Sequence, residues 1–257
     1  MIVTTAGRTT EQMIQTARKV ANDLGYHYFQ RNKRSIHTLF KEKQQDVLVI
    51  GKSRFEWYRI EGGDPIFFHP NTAAFRVKRW LNGEVEPFLQ ATDLKEGMTF
   101  LDCTLGLASD SIMASMATGK QGQVVGIEGN KLLAYLVKTG LKTWESDMHQ
   151  MNEAMKRIEV LQGNHQAILS KLSDDSFDVV YFDPMFHEHI EESNGIAPLR
   201  NVGVQDELME QTIRDAQRVA RHRVVLKDHW KSERFERLGF TVLKRKTAKF
   251  HYGYVKT

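Results

Sequence analysis

The chain has 257 residues, 41% hydrophobic and 26% charged, which is globular in texture and long enough for one large domain or a main domain with an appendage. No run approaches eighteen consecutive apolar residues, the opening MIVTTAGRTTEQ lacks a charged-then-apolar layout, and Cys103 is the single cysteine; a membrane span, a secretory signal, an intrachain disulfide and a cysteine-built zinc cage are therefore not expected, and a cytoplasmic location is. The net charge of +4 divides into +5 over residues 1–90, +8 over 210–257 and −9 between them, a distribution that suits a polyanionic partner such as RNA or an ordinary solvated surface.

Residues 1–90 read as a small α+β domain. TTEQMIQTARKVANDLG predicts a helix: Thr9 and Gln12 have capping-box spacing, Met13, Ala17, Val20, Ala21 and Leu24 share one face, and Gly25 stops it. Strand-like runs follow at Val47–Ile50, Phe55–Ile60 and Ile66–Phe68. NTAAFRVKRWLNG predicts a second helix, with Ala74, Val77, Lys78 and Leu81 on neighbouring turns. Arg54, Trp57 and Tyr58, with the basic run RNKRSIHTLFKEK, read either as core aromatics beside solvated charge or as an RNA surface.

Residues 91–257 alternate between strand and helix. TFLDCT, GQVVGIEGN, RIEVLQGN, FDVVYFDP and HRVVLKD are short Val/Ile/Leu-rich strands. ASDSIMASMATG, KLLAYLVKTGLKTW, HQAILSKL and DELMEQTIRDAQRVA are the helices between them. The pattern predicts a parallel sheet covered on both faces. GFTVLKRK and KFHYGYVKT lie too close for a helical crossover and predict an antiparallel hairpin at the end.

In such sheets ligands bind beyond the carboxyl ends of the strands. The first strand ends in Asp102, Thr104, Gly106, Ser109 and Asp110, where small residues allow close approach and Ser109 or Asp110 is placed to cap a helix. The second ends in Glu128-Gly129, an acid placed after the glycine loop as for ribose hydroxyls. The third gives Asn164 and His165, suited to an adenine edge. A dinucleotide would ask for G-x-G-x-x-G, whereas this loop has one glycine and two acids. Negative charge is a poor host for pyrophosphate and a good one for a sulfonium and an amino group, as in S-adenosylmethionine. The alternative for each acid alone is a helix cap or an ion pair.

The fourth strand runs into Asp183-Pro184-Met185-Phe186. The lone pair of an exocyclic base nitrogen is delocalised, so acceptors for its hydrogens, the Asp183 carboxylate and the Pro184 carbonyl, favour attack. Proline fixes its own φ and helps aim that carbonyl. Phe186 offers a π-face to an extruded base. DPMF resembles the Asp/Asn-Pro-Pro-Phe/Tyr motif of class I S-adenosylmethionine-dependent methyltransferases that act on amino groups. More narrowly, FLDCTLGLASDS, VVGIEGN, VVYFDPMF and RVVLK are similar, over about Phe100 to Lys227, to the small-subunit ribosomal RNA guanine-N2 methyltransferase family J.

That resemblance implies a Rossmann-like α/β fold, S-adenosylmethionine as cofactor, and ribosomal RNA or a small-subunit particle as partner. Carried over by position, Ser109, Asp110, Glu128, Gly129, Asn164, His165 and Asp183 would contact the cofactor. Asp183 would also meet the target amine. The sequence departs at Ala108, where the family has glycine, at Ser109, where it has arginine, and at His187, where it has proline. A methyltransferase for DNA, protein or a small molecule, and a non-catalytic RNA-binding protein, are the alternatives. His187-Glu188-His189 lacks the helical H-E-x-x-H spacing, so no metal is expected. Loop 187–204, with Gly195, Pro198, Arg200 and Gly203, reads as a lid or recognition element. Cys103 has no histidine arranged beside it and reads as packing.

Overall fold

A computed structural model describes residues 1–184, 207–246 and 248–257. Met185, Phe186, His187, His189, Arg200 and the rest of loop 187–204 lie outside the described residues. Among the described residues the chain forms two compact units, dividing between His69 and Pro70.

The first unit contains β1 (Ile2–Thr5), α1 (Glu11–Leu24), β2 (His27–Tyr28), α2 (Ile36–Lys43), β3 (Val47–Ile50) and β4 (Phe55–Tyr58). Its sheet has the order β2-β1-β3-β4, with β1 parallel to β2 and β3, and β4 antiparallel to β3. In α1 the buried residues are Met13, Ala17, Val20, Ala21 and Leu24, the face that 3.6-residue spacing predicts. The cap moves by one position: Thr10, not Thr9, accepts from the Met13 N–H. Gly25 ends the helix at φ 74°, a left-handed value that glycine adopts without strain. The run Ile66–Phe68 contributes only a bridge between Ile66 and Trp57.

The second unit begins with α3 (Asn71–Leu81) and α4 (Pro87–Thr92), so the boundary expected near residue 90 falls earlier. The reason is packing. Phe88 of α4 is buried edge-on against Phe100 and Tyr181, and α3 supplies Arg76 to an internal ion pair. Within α3, Ala73 and Val77 are buried, whereas Leu81, expected on the apolar face, is exposed.

There follow β5 (Thr99–Asp102), α5 (Ser109–Thr118), β6 (Gln123–Glu128), α6 (Lys131–Thr143), α7 (His149–Arg157), β7 (Glu159–Gln162), α8 (His165–Leu169), β8 (Phe177–Phe182), α9 (Glu210–Val219), β9 (Ala220–His229), α10 (Arg234–Arg237), β10 (Thr241–Leu243) and β11 (Phe250–Lys256). The seven strands have the order β10-β11-β9-β8-β5-β6-β7. β5 to β9 are mutually parallel, and β11 runs antiparallel to both β9 and β10, as the hairpin pattern predicts. The fold is α/β and Rossmann-like. From β5 the chain winds outward to β6 and β7, then returns to β8 on the other side of β5. That reversal opens a crevice at the carboxyl ends of β5 and β8, where Asp102 and Asp183 lie. Among the described residues no helix is long and apolar enough to cross a membrane.

Candidate active site

The loop after β5 is fixed from below. Asp102 is buried, with 1% of its surface exposed. Its Oδ1 accepts from the Thr104 N–H at 3.0 Å, and its Oδ2 from the Ser111 hydroxyl at 2.7 Å. Burial pushes this carboxyl up to about 7, against the pull of those two bonds. The Thr104 hydroxyl oxygen accepts from the Asp183 N–H at 2.6 Å, which ties the end of β8 to the loop of β5. Leu105 docks over Gly126, where any Cβ would collide with its side chain, and its N–H donates to the Ile127 carbonyl at 3.0 Å. Gly106 takes φ 50°, and Ala108, at the position of the family's glycine, keeps a glycine-like φ of 63°. That left-handed backbone costs a non-glycine residue about 1–2 kcal/mol.

Glu128, at the end of β6, accepts from the Gly106 N–H at 3.2 Å and the Asn130 N–H at 2.8 Å. Burial raises its affinity for a proton, and the backbone N–H groups lower it. The Gly129 N–H is a third backbone donor to this carboxylate, which leaves about one of its four acceptor sites for a ligand hydroxyl. Asn164 caps α8, accepting from the Ala167 N–H at 3.1 Å. His165 meets Phe182 edge-on at 5.9 Å. The Gly129 carbonyl accepts from Gln162 Nε2 at 3.3 Å.

Two residues expected at the cofactor are engaged by protein donors. Asp110 accepts from Arg76 at 2.6 Å, from the Tyr181 hydroxyl at 2.9 Å, and from Lys227 at 3.4 Å. Ser109 accepts from Arg76 at 3.4 Å and caps nothing; the α5 cap position is Ala108. Burial alone would raise Asp110, but Lys227 and Arg76 hold it well below the usual carboxylate range. A second arm of Arg76 reaches Glu86 at 2.8 Å.

Lys227 completes the arrangement. Its Nζ lies 2.6 Å from Asp183 Oδ2, and burial, which would lower it, is overridden by Asp110 and Asp183, so the ammonium stays charged. Asp183 keeps 27% of its side chain open. Its carboxyl is pushed up to about 6, first by burial and then by the Asp110 charge, with Lys227 acting in the opposite sense. Cys103 is buried, and burial followed by the neighbouring Asp102 holds its thiol well above the ordinary value, so it is packing and not a nucleophile.

The structure brings Asp102, Thr104, Gly106, Glu128 and Asp183 together at the carboxyl ends of β5, β6 and β8 and in the loop after β5. Sequence reasoning missed Arg76, Tyr181, Ser111 and the role of Lys227. The signal for Lys227 was present, a lone lysine ending RVVLK on the strand beside β8. None existed for Arg76, which arrives from outside the alternating pattern.

The donor set fits a cationic cofactor. Acids close three adjacent strands, and the loop from Asp102 to Asp110 carries no lysine, arginine or histidine. Lys227, the one lysine there among the described residues, is already paired with carboxylates. A family model described as “Putative SAM-dependent methyltransferase” matches residues 33–251. The chain belongs to the SAM-dependent methyltransferases. Its cofactor is S-adenosylmethionine. The methyltransferase is 54% identical over 256 residues to YpiP of Bacillus subtilis (strain 168), an uncharacterized protein, covering 100% of this chain and 99% of that one. In fold it is similar to the SAM-dependent methyltransferase NGO1261 from Neisseria gonorrhoeae, with a TM-score of 0.65 at 17% identity over 100% and 96% of the two chains. TrmN from Thermus thermophilus is more distant, with a TM-score of 0.47 at 11% identity over 100% and 71%.

Proposed function

We propose that this methyltransferase modifies the exocyclic amino group of an RNA base, guanine N2 in ribosomal RNA. The observation that carries the reading is Asp183 at the strand switch point: Thr104 holds its backbone N–H, and Lys227 pairs with its part-open carboxylate. Bound S-adenosylmethionine supplies an electrophilic methyl carbon. In this reading Glu128 and Gly129 would take its ribose, Asn164 and His165 its base, and Thr104, Gly106 and Asp183 its charged end, with buried Asp102 fixing the loop from below.

Asp183 accepts a hydrogen from the target amine, with the Pro184 carbonyl as the second acceptor. Holding both hydrogens turns the nitrogen lone pair out of conjugation and toward the methyl carbon. Lys227 donates to Oδ2 and so leaves Oδ1 for the substrate. Phe186 supplies the surface against which the base lies.

The test is methyl transfer from labelled S-adenosylmethionine to ribosomal RNA isolated from cells lacking the protein, with the product nucleoside identified by mass spectrometry. Asp183→Ala should reduce transfer by about 100-fold or more, the range for loss of a positioned proton acceptor. RNA affinity should change little, because phosphate contacts lie elsewhere. Equal rates for variant and wild type would remove Asp183 from the chemistry. Methylation of a base atom other than an exocyclic nitrogen would remove the amine reading.

A further inference from the structure

Past its end at His229, β9 leads into a surface that the chemistry at Asp183 does not use. Trp230 follows at once with 51% of its surface exposed, and its N–H donates to the Lys249 carbonyl at 3.2 Å. That backbone bond fixes the Trp230 main chain where β9 leaves the sheet and β11 enters it. Lys231 Nζ lies 5.1 Å from the Trp230 ring centre, a cation–π distance. The β10–β11 turn adds Lys244, Arg245, Lys246 and Lys249. Arg245 sits 4.9 Å from the Phe250 ring, and Lys227, the partner of Asp183, lies 5.0 Å from the same ring. The surface is thus joined to the site through one aromatic side chain.

Charge and shape narrow the occupant. From Arg237 to Thr257 there is no aspartate or glutamate. Among the described residues no carboxylate forms a salt bridge with Lys231, Lys244, Arg245 or Lys246. Clustered cations repel one another, and an exposed indole keeps apolar area in water; one ligand relieves both if it carries many phosphates and flat, unpaired rings. An acidic protein would answer the charge and leave the indole without a partner. A duplex would hide its rings in the stack. Trp230 is three residues beyond Lys227, about 10 Å at strand rise, within reach of a nucleotide flanking one held at Asp183.

We infer that Trp230, Lys231, Lys244, Arg245 and Lys246 hold single-stranded RNA beside the target nucleotide, the indole stacking on a base and the cations meeting phosphates. The inference rests on the RNA reading above and adds where the strand runs. Fluorescence anisotropy of the full chain with a labelled, unstructured twelve-nucleotide RNA tests it, with melting curves confirming that each variant is folded. Trp230→Ala should weaken binding about tenfold, within the range for one lost stacking partner, and Trp230→Phe should restore most of it. Lys244→Ala with Lys246→Ala should lower the salt dependence by roughly 1.4 in log–log slope, about 0.7 for each lost phosphate contact. Lys138→Ala with Lys142→Ala, on α6, should change little.

If wild type binds RNA and the Trp230 and turn variants bind equally well, the surface is wrong while the RNA reading stands. If wild type binds no RNA, both fall, and an acidic protein becomes the partner of the basic face. An equal loss on a blunt RNA duplex would overturn the single-strand assignment.

Discussion

Lys227 stands between two carboxylates whose proton affinities differ in direction. Asp110, ringed by Arg76, Tyr181 and Lys227, is held low; Asp183, with one cation and an opening, is pushed up to about 6. One ammonium thus fixes a structural acid and orients a reactive one. Lys227→Met keeps the stem and removes the charge. It should cost about 3 kcal/mol in urea unfolding, at the low end for breaking a buried pair because Arg76 and Tyr181 still hold Asp110. It should also move Asp183 further up, so that the pH at which methyl transfer reaches half its maximum rises. A variant with unchanged stability and an unchanged pH profile would show that the pair does neither job. The sequence made Asp183 legible because an acid-proline-aromatic run at a strand exit has few uses. Lys227 stayed obscure because its value comes from β9 lying beside β8, which is a property of sheet order.

At the scale of elements, local pattern carried furthest where caps and period agreed. α1 was readable from Met13 to Gly25 for that reason, and the five parallel strands were readable as Val/Ile/Leu runs closed by turns. β1 escaped because Ile2–Thr5 is four residues long, wholly buried and without alternation. α7 escaped because only Met151, Asn152, Ala154 and Met155 face inward on an otherwise polar helix. The cofactor loop is the element where sequence and packing meet most tightly. Leu105 occupies the space that a Gly126 side chain would take, so the loop is keyed to β6 by a missing methyl group. Gly126→Ala should cost about 1–3 kcal/mol by overpacking, and should weaken S-adenosylhomocysteine binding as the loop shifts. Shortening Leu105 to Ala in the same chain should recover part of it. A double-mutant cycle in thermal melting should show a coupling of at least about 0.5 kcal/mol; strict additivity would mean that the two do not share the space.

For the whole molecule the acids of the site set a pH dependence. Asp102 at about 7 and Asp183 at about 6 lie above the unfolded value, and Glu128 is shifted in the same direction. These groups hold protons more tightly folded than unfolded, so their contribution to stability is full below about pH 4 and is lost as pH rises toward 7. Asp110 acts in the opposite sense, its contribution present above the unfolded value and lost only in strong acid. Without cofactor, the unfolding free energy should fall between pH 5 and 7, by up to about 1.4 kcal/mol per pH unit for each proton released, and the melting temperature should fall with it. Asp102→Asn, whose Oδ1 still accepts from the Thr104 N–H and whose amide would donate to the Ser111 oxygen, removes the titration and should flatten that slope; an unaltered slope would place its origin elsewhere. The position of β11 has a further consequence, for how the protein is made. β11 lies between β10 and β9, pairing Tyr252 with Lys227, yet a ribosome produces it after both. Until Phe250–Lys256 emerge, β9 is paired on its β8 side only and its other edge is bare. A nascent chain can assemble the earlier strands in order, but the pairing of β9 with β11 forms only after Phe250–Lys256 have been made.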